Sequence, residues 1–360
     1  MDVDLYSPHT ERFNMTKSFR GIEIRGRVFF LILIVLLPIL CLERFPTQVY
    51  GQKSAGGVEK VRFADGRFLG SAPITVAVEK GYFKQEGLEI SRSFFWTGKN
   101  SLEALLAGKA DLATVGDFPI ALEAMKGARI CVIAMLSNPG KTYALIARKD
   151  QGISSPKDLQ GKKIGATFGT NLHFILDSFM LFHHVPRKDL RLVDLPMERM
   201  PEALRKGDVQ AVITWDPISY QIRTQLGTNA VVFYGDEQCI YRMTWNIVGM
   251  LEFVHKNPET IKRVLRALLK AGGFIKGNRN DALQMIAAYL GMEKEALQES
   301  WNAYTPDLSL SPLLVENLEN ETRWAIKNKL ANLKQMPNYL QYIYFDGLES
   351  VKPEAVTIVH

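Results

Sequence analysis

The chain has 360 residues, 47% of them hydrophobic, and a formal net charge of +6 from 44 Lys/Arg against 38 Asp/Glu. That length and apolar share suffice for two domains with filled cores. No basic run or basic–aromatic ladder accompanies the modest charge, which argues against nucleic-acid binding. Three cysteines (Cys41, Cys131, Cys239) without a CxxC pair exclude a common zinc framework and a disulfide scaffold.

Residues 28–42, VFFLILIVLLPILCL, are the only long apolar run and follow Arg25 and Arg27. The run is short for a membrane span and contains Pro38, so it reads as an export signal, with an uncleaved N-terminal anchor as the alternative. Its basic flank has ordinary length if translation starts at Met15 rather than Met1. Leu40 stands where a lipobox needs a small residue, so no acyl group is expected on Cys41. Residues 52–60 are polar and glycine-rich, making 1–58 an export signal and linker.

Val61–Phe63 reads as a strand, Leu69–Pro73 as a loop opening a helix through Lys80, and the stretch ending in Phe94-Phe95-Trp96 as a second strand. Gly98–Ser101 then caps helix Leu102–Ala107. Next comes the stretch around which the chain is organised, LLAGKADLATVGDFP, Leu105–Pro119. A helix ends at Gly108, a buried strand runs over Asp111–Val115, and Gly116-Asp117-Phe118-Pro119 opens a new helix, with Asp suited to the cap. Leu204–Pro217, LRKGDVQAVITWDP, repeats this grammar: Gly108 and Gly207 are each followed nine residues later by an aspartate, Asp117 and Asp216. The repeat predicts two similar α/β lobes whose strand ends and helix N-termini face a shared cleft, where free N–H groups attract anions.

Further strands are expected at Ile130–Leu136, Tyr143–Ala147, Lys163–Ala166, Leu190–Leu195 and Val231–Phe233, with Met243–Leu251 crossing back to the first lobe. From Pro258 the chain reads as helical, over 258–276, 279–290, 293–303 and 311–332. The alternation predicts mostly parallel sheets. Lobe one comprises 59–147 plus 247–345, and lobe two 148–246.

The cleft loops supply the candidate ligand residues. Ser71, Gly116, Asp117 and Phe118 form one wall; Gly169, Thr170, Asn171, Trp215 and Asp216 form the other. Helix N-termini after Pro119 and Thr170 would hold a polar head group, and Trp215 would cover an apolar body. Asp117, Thr170 and Ser71 serve equally well as simple helix caps. Trp96 and Trp245 read as core as readily as site, Arg242 as a surface residue near the crossing strand, and His173 as a helix-face residue. His183-His184 suits a helix C-terminus, and with no second ligand cluster no metal is expected.

Lys80-Gly81-Tyr82-Phe83 with Glu86-Gly87-Leu88, Leu105–Pro119, Ser155–Gly169 and Gly207–Pro217 together resemble the periplasmic substrate-binding proteins of ABC importers, in the sulfonate/nitrate/taurine group that includes thiamine-pyrimidine precursor binders. The resemblance spans about Val61 to Tyr304. It implies a two-lobed, type II periplasmic-binding-protein-like clamp with a helical C-terminal extension. It also implies a small anionic or polar organic ligand, an ABC importer permease at the inner membrane as partner, an extracytoplasmic location, a monomer, and no cofactor. The matched loops lack an arginine to pair with a sulfonate. Relatives of this fold include a sulfinate-cleaving hydrolase with a cysteine nucleophile and pyrimidine-forming enzymes of thiamine synthesis, so an enzyme is the alternative. Neither Cys131 nor Cys239 lies in a matched cleft loop, and no Ser-His-Asp arrangement or phosphate loop is present.

Overall fold

The computed structural model describes residues 58–138, 143–234, 241–330 and 335–360. The expected export segment, Cys41 and Cys239 lie outside the described residues. Among those described, no helix is long and apolar enough to cross a membrane.

The first third alternates strand and helix: β1 (Glu59–Gly66), α1 (Ala72–Glu79), α2 (Tyr82–Gln85), β2 (Leu88–Phe95), α3 (Gly98–Leu106), β3 (Leu112–Gly116), α4 (Asp117–Met125) and β4 (Ile130–Asn138). The middle carries β5 (Tyr143–Arg148), β6 (Lys163–Ala166), α5 (Asn171–Phe182), β7 (Arg191–Asp194), α6 (Met200–Lys206), β8 (Ala211–Trp215), α7 (Ile218–Leu226) and β9 (Ala230–Tyr234). The remainder is β10 (Trp245–Met250), α8 (Leu251–Lys256), α9 (Pro258–Gly277), α10 (Arg279–Leu290), α11 (Lys294–Ala303), β11 (Thr305–Ser309), α12 (Pro312–Lys327) and α13 (Phe345–Val351).

These strands form two sheets, ordered β11-β4-β10-β3-β1-β2 and β7-β6-β8-β5-β9. The two repeated strands, β3 and β8, are buried at all five positions and sit in sheet interiors, as unbroken apolar runs require. Each is preceded by a glycine in the left-handed region, Gly108 at φ 69° and Gly207 at φ 83°, which lets the preceding helix stop and the chain turn.

The sheets are mixed rather than mostly parallel. β1, β2 and β3 pair in parallel, as do β6, β7 and β8. β10 runs antiparallel to β3 and β4, and β5 antiparallel to β8 and β9. Both reversed strands enter from the other sheet. β5, assigned to the first lobe by sequence, therefore belongs to the second sheet; its apolar run fits either core and carries no mark of its partner. The expectation that everything after Pro258 is helical also fails at β11, which pairs antiparallel with β4. Of the C-terminal helices, α9 packs on the first lobe, while α11 and α12 also reach the second through Ser300 and Trp324. Ile261, Val264, Leu265, Leu268, Ala271 and Ile275 form the buried stripe of α9, which lies against α1 and α13, while α12 lies against α4.

Candidate functional site

The strand ends and helix starts carrying the repeated grammar meet in the seam between the lobes. In the first copy, Gly116 is the N-cap and Asp117 the first residue of α4, so Asp117 is not the cap expected from sequence. Its carboxylate is fully buried and accepts from six donors. Oδ1 receives the Phe118 N–H (3.2 Å), the Tyr241 hydroxyl (2.5 Å) and the Asn171 amide. Oδ2 receives the Thr244 N–H (2.9 Å) and hydroxyl (3.1 Å) and the Asn317 amide (2.6 Å). Asn171 belongs to the second lobe, so its bond crosses the seam. The absence of a side chain at Gly116 is what admits Asn171: a Cβ there would collide with its amide.

The second copy is built differently. Asp216 is 7% exposed, and its Oδ1 accepts the Ser219 hydroxyl (2.7 Å) and the Tyr220 N–H (3.1 Å), tying down the start of α7. Its Oδ2 receives the Ser300 hydroxyl from α11 at 3.2 Å, and Arg223 lies 3.6 Å from Oδ1. Trp215 beside it is 3% exposed, with its ring centroid 5.3 Å from that of Phe68 of the first lobe. The Trp215 indole N–H and the neighbouring Thr214 hydroxyl find no partner among the described residues. Buried donors of this kind are ordinarily satisfied, so the indole N–H marks a place for an acceptor.

Ser71 and Trp245 floor the first-lobe side. The Trp245 indole donates to Ser71 Oγ (2.9 Å), which in turn donates to Asp65 (2.7 Å). The indole lies in a recess cleared by three glycines: a Cβ on Gly66, Gly70 or Gly98 would stand 2.8, 2.6 or 2.9 Å from it. Phe68 bridges the two tryptophans, 4.8 Å from Trp245 on its other side. Trp245 is thus core, whereas Trp96 is partly exposed with Arg67 over its ring.

A second aromatic group closes the seam beside Asp117. Phe118 packs on Phe174 (6.2 Å) and on Trp324 of α12 (5.4 Å); Trp324 also meets Phe174 and His173 edge-on. Its indole donates to Asp177 at 2.7 Å. His173 stacks on Phe168 and is buried; burial and the nearby Arg187 guanidinium push its imidazole down to about 4, so it is neutral at pH 7.

Of the second-wall residues, Asn171 is spent on Asp117 and also reaches Tyr241 Oη at 3.1 Å. The Thr170 hydroxyl is donated to the Thr167 carbonyl at 2.7 Å, which leaves its hydrogen unavailable to a ligand. Gly169, at φ 75°, lies against the aliphatic end of Lys99, whose Nζ donates to the Phe168 carbonyl across the seam (3.3 Å). Arg242 keeps its side chain in solvent and contributes its carbonyl to Asn317. Cys131 is buried in β4, its thiol pushed up to about 12 by burial, so no thiolate forms there at neutral pH.

Sequence reasoning missed Phe68, Tyr241, Thr244, Asn317, Glu321 and Trp324. The Asp117–Asn317 pair is 200 residues apart in sequence and the Asp117–Thr244 pair 127, and no local pattern links them. A polar Asn and Glu four apart on the buried stripe of α12 were the available signal.

Two α/β lobes, joined by crossing strands and meeting at their strand ends over buried polar and aromatic groups, define the periplasmic-binding-protein fold. The profile of the NMT1/THI5-like family matches residues 69–282, and the chain belongs to that family. It is 23% identical over 231 residues to a putative aliphatic sulfonates-binding protein of Bacillus subtilis, covering 63% of this chain and 69% of that protein. Among solved structures it resembles the alkanesulfonate-binding protein SsuA of Xanthomonas axonopodis pv. citri bound to MOPS, with a TM-score of 0.70 at 18% identity, covering 81% of this chain and 99% of the other. The desulfurization enzyme DSZB shares the fold as well, with a TM-score of 0.62 at 16% identity over 82% of this chain and 99% of the other.

Proposed function

We propose that this protein is an extracytoplasmic solute-binding protein that captures a small organosulfonate between its lobes and delivers it to an ABC importer permease. The lobes of this reading are 59–138 plus 245–345 and 143–244, which transfers β5 from the first lobe to the second. The observation that carries the proposal is Trp215: a buried ring at the end of β8, in the inter-lobe seam, whose N–H has no acceptor among the described residues. A sulfonate oxygen would accept that hydrogen while the ring covers the carbon chain. The names of the sulfonate-binding relatives support the ligand class, and the apolar run at 28–42 behind two arginines supports export.

Catalysis on the same fold is the second reading, favoured by the likeness to DSZB. The burial of Cys131 and the engagement of Ser71 by Asp65 and Trp245 weigh against a nucleophile at either place. A thermal-shift screen of the full chain with taurine, MOPS, nitrate and an aryl sulfinate separates the readings. A ligand at a hundred times its Kd stabilises by about 2.7 kcal/mol. Binding expects a shift with a sulfonate and no sulfite release; sulfite released from the sulfinate would establish the enzyme.

A further inference from the structure

Glu321, on α12, is fully buried in the seam. Its Oε1 lies 2.6 Å from the Tyr241 hydroxyl, and its Oε2 has no partner among the described residues. The same hydroxyl lies 2.5 Å from Asp117 Oδ1 and accepts from the Asn171 amide. A phenol has one hydrogen, so it can donate to one carboxylate only. Asp117 receives five other hydrogen bonds, a pattern that fits an ionised carboxylate with no room for a proton of its own. The second proton that these short contacts need must therefore sit on Glu321.

We propose that the closed seam binds one proton, held as a neutral Glu321 that donates to Tyr241, which donates to the Asp117 carboxylate, which receives Asn171 from the other lobe. Glu321 and Tyr241 are thus positioning residues: they set the carboxylate that Asn171 grips. This rests on the reading that ligand is held by closure of the two lobes. Separating them breaks the Asn171–Asp117 bond and lets water reach the acids, where Glu321 ionises in the ordinary carboxyl range. Among the described residues, no cation compensates a second charge. α4 brings Asp117, α5 brings Asn171, and the crossing segment brings Tyr241 and Thr244 while Arg242 points to solvent. α12 brings Asn317 and Glu321, with Tyr339 the next titratable group. His173, on α5, faces Phe168 and Trp324 instead. Burial and the Asp117 charge both push the Glu321 carboxyl well above its ordinary value of 4.5.

The sign follows from proton linkage. The closed state holds a proton that the open state releases above about pH 4.5, so closure is strongest below that pH and weakens as pH rises toward the raised value. For one proton the loss approaches about tenfold in affinity per pH unit within that window. Two measurements on the full chain test this, with Glu321→Gln as the neutral isostere. Infrared difference spectra at pH 7, taurine- or MOPS-saturated minus free, should show a protonated carboxyl band that appears on closure in the wild type and is missing in Glu321→Gln. Calorimetry with taurine between pH 5 and 8 should give an affinity that falls with pH in the wild type and stays flat in Glu321→Gln. Absence of the band, or equal pH slopes in the two proteins, would overturn the proposal. If taurine and MOPS both fail to bind the wild type, the transport reading fails, and infrared titration of the free protein decides whether Glu321 binds a proton above the ordinary carboxyl range; absence of such a titrating band overturns the proposal.

Discussion

Asp117 and Asp216 occupy the same position in two copies of one strand-to-helix unit, yet they have different tasks. Asp117 takes six hydrogen bonds from four segments of the chain and links the lobes. Asp216 takes two from its own helix and one from Ser300. The unit prescribes a carboxylate at a helix start and leaves its partners to whatever the rest of the fold delivers. Beside Asp117 that is the crossing segment and α12; beside Asp216 it is the first turn of α7. The apolar neighbours diverge in the same way, Phe118 sealing the seam and Trp215 keeping an unsatisfied donor in it.

The contrast can be broken by mutation. Asp117→Ala leaves several buried donors without an acceptor, at about 1–3 kcal/mol each. Urea denaturation should show a loss of at least about 4 kcal/mol, or no folded protein; a loss below about 1 kcal/mol would remove Asp117 from the centre of the seam. Trp215→Ala should weaken sulfonate binding about thirtyfold, because a central aromatic anchor is worth about 2 kcal/mol or more. Asp216→Ala should cost about 1 kcal/mol of stability, as loss of a helix cap does, with modest effect on affinity. If Asp216→Ala abolishes binding while Asp117→Ala spares stability, the roles assigned to the two copies are reversed. Cys131→Ala, in the buried face of β4, should leave affinity unchanged by calorimetry.

The repeat itself was legible in the chain, because it rests on local chemistry: a glycine at positive φ, a five-residue apolar run, then an aspartate opening a helix. Helices 258–277 and 279–290 were legible for the same reason, their apolar residues recurring at helical spacing. The sheet membership of β5 was not, since a strand buried on both faces looks alike in either core. β11 escaped because TPDLS is short, half polar and contains a proline, and it exists by pairing at the edge of β4. Within the site, Trp215 could be singled out as an aromatic at a strand end. The partners of Asp117 could not, because they arrive through tertiary packing from Tyr241, Thr244 and Asn317.

The proposed organosulfonate site lies in the seam against Trp215. Titration calorimetry of the full chain with taurine and MOPS, in wild type and in a Trp215→Ala variant verified as folded, tests it most directly. Binding of at least one of them by the wild type, weakened about thirtyfold in the variant, is the expected result. Equal affinity in the two proteins, or no binding to the wild type, would contradict it.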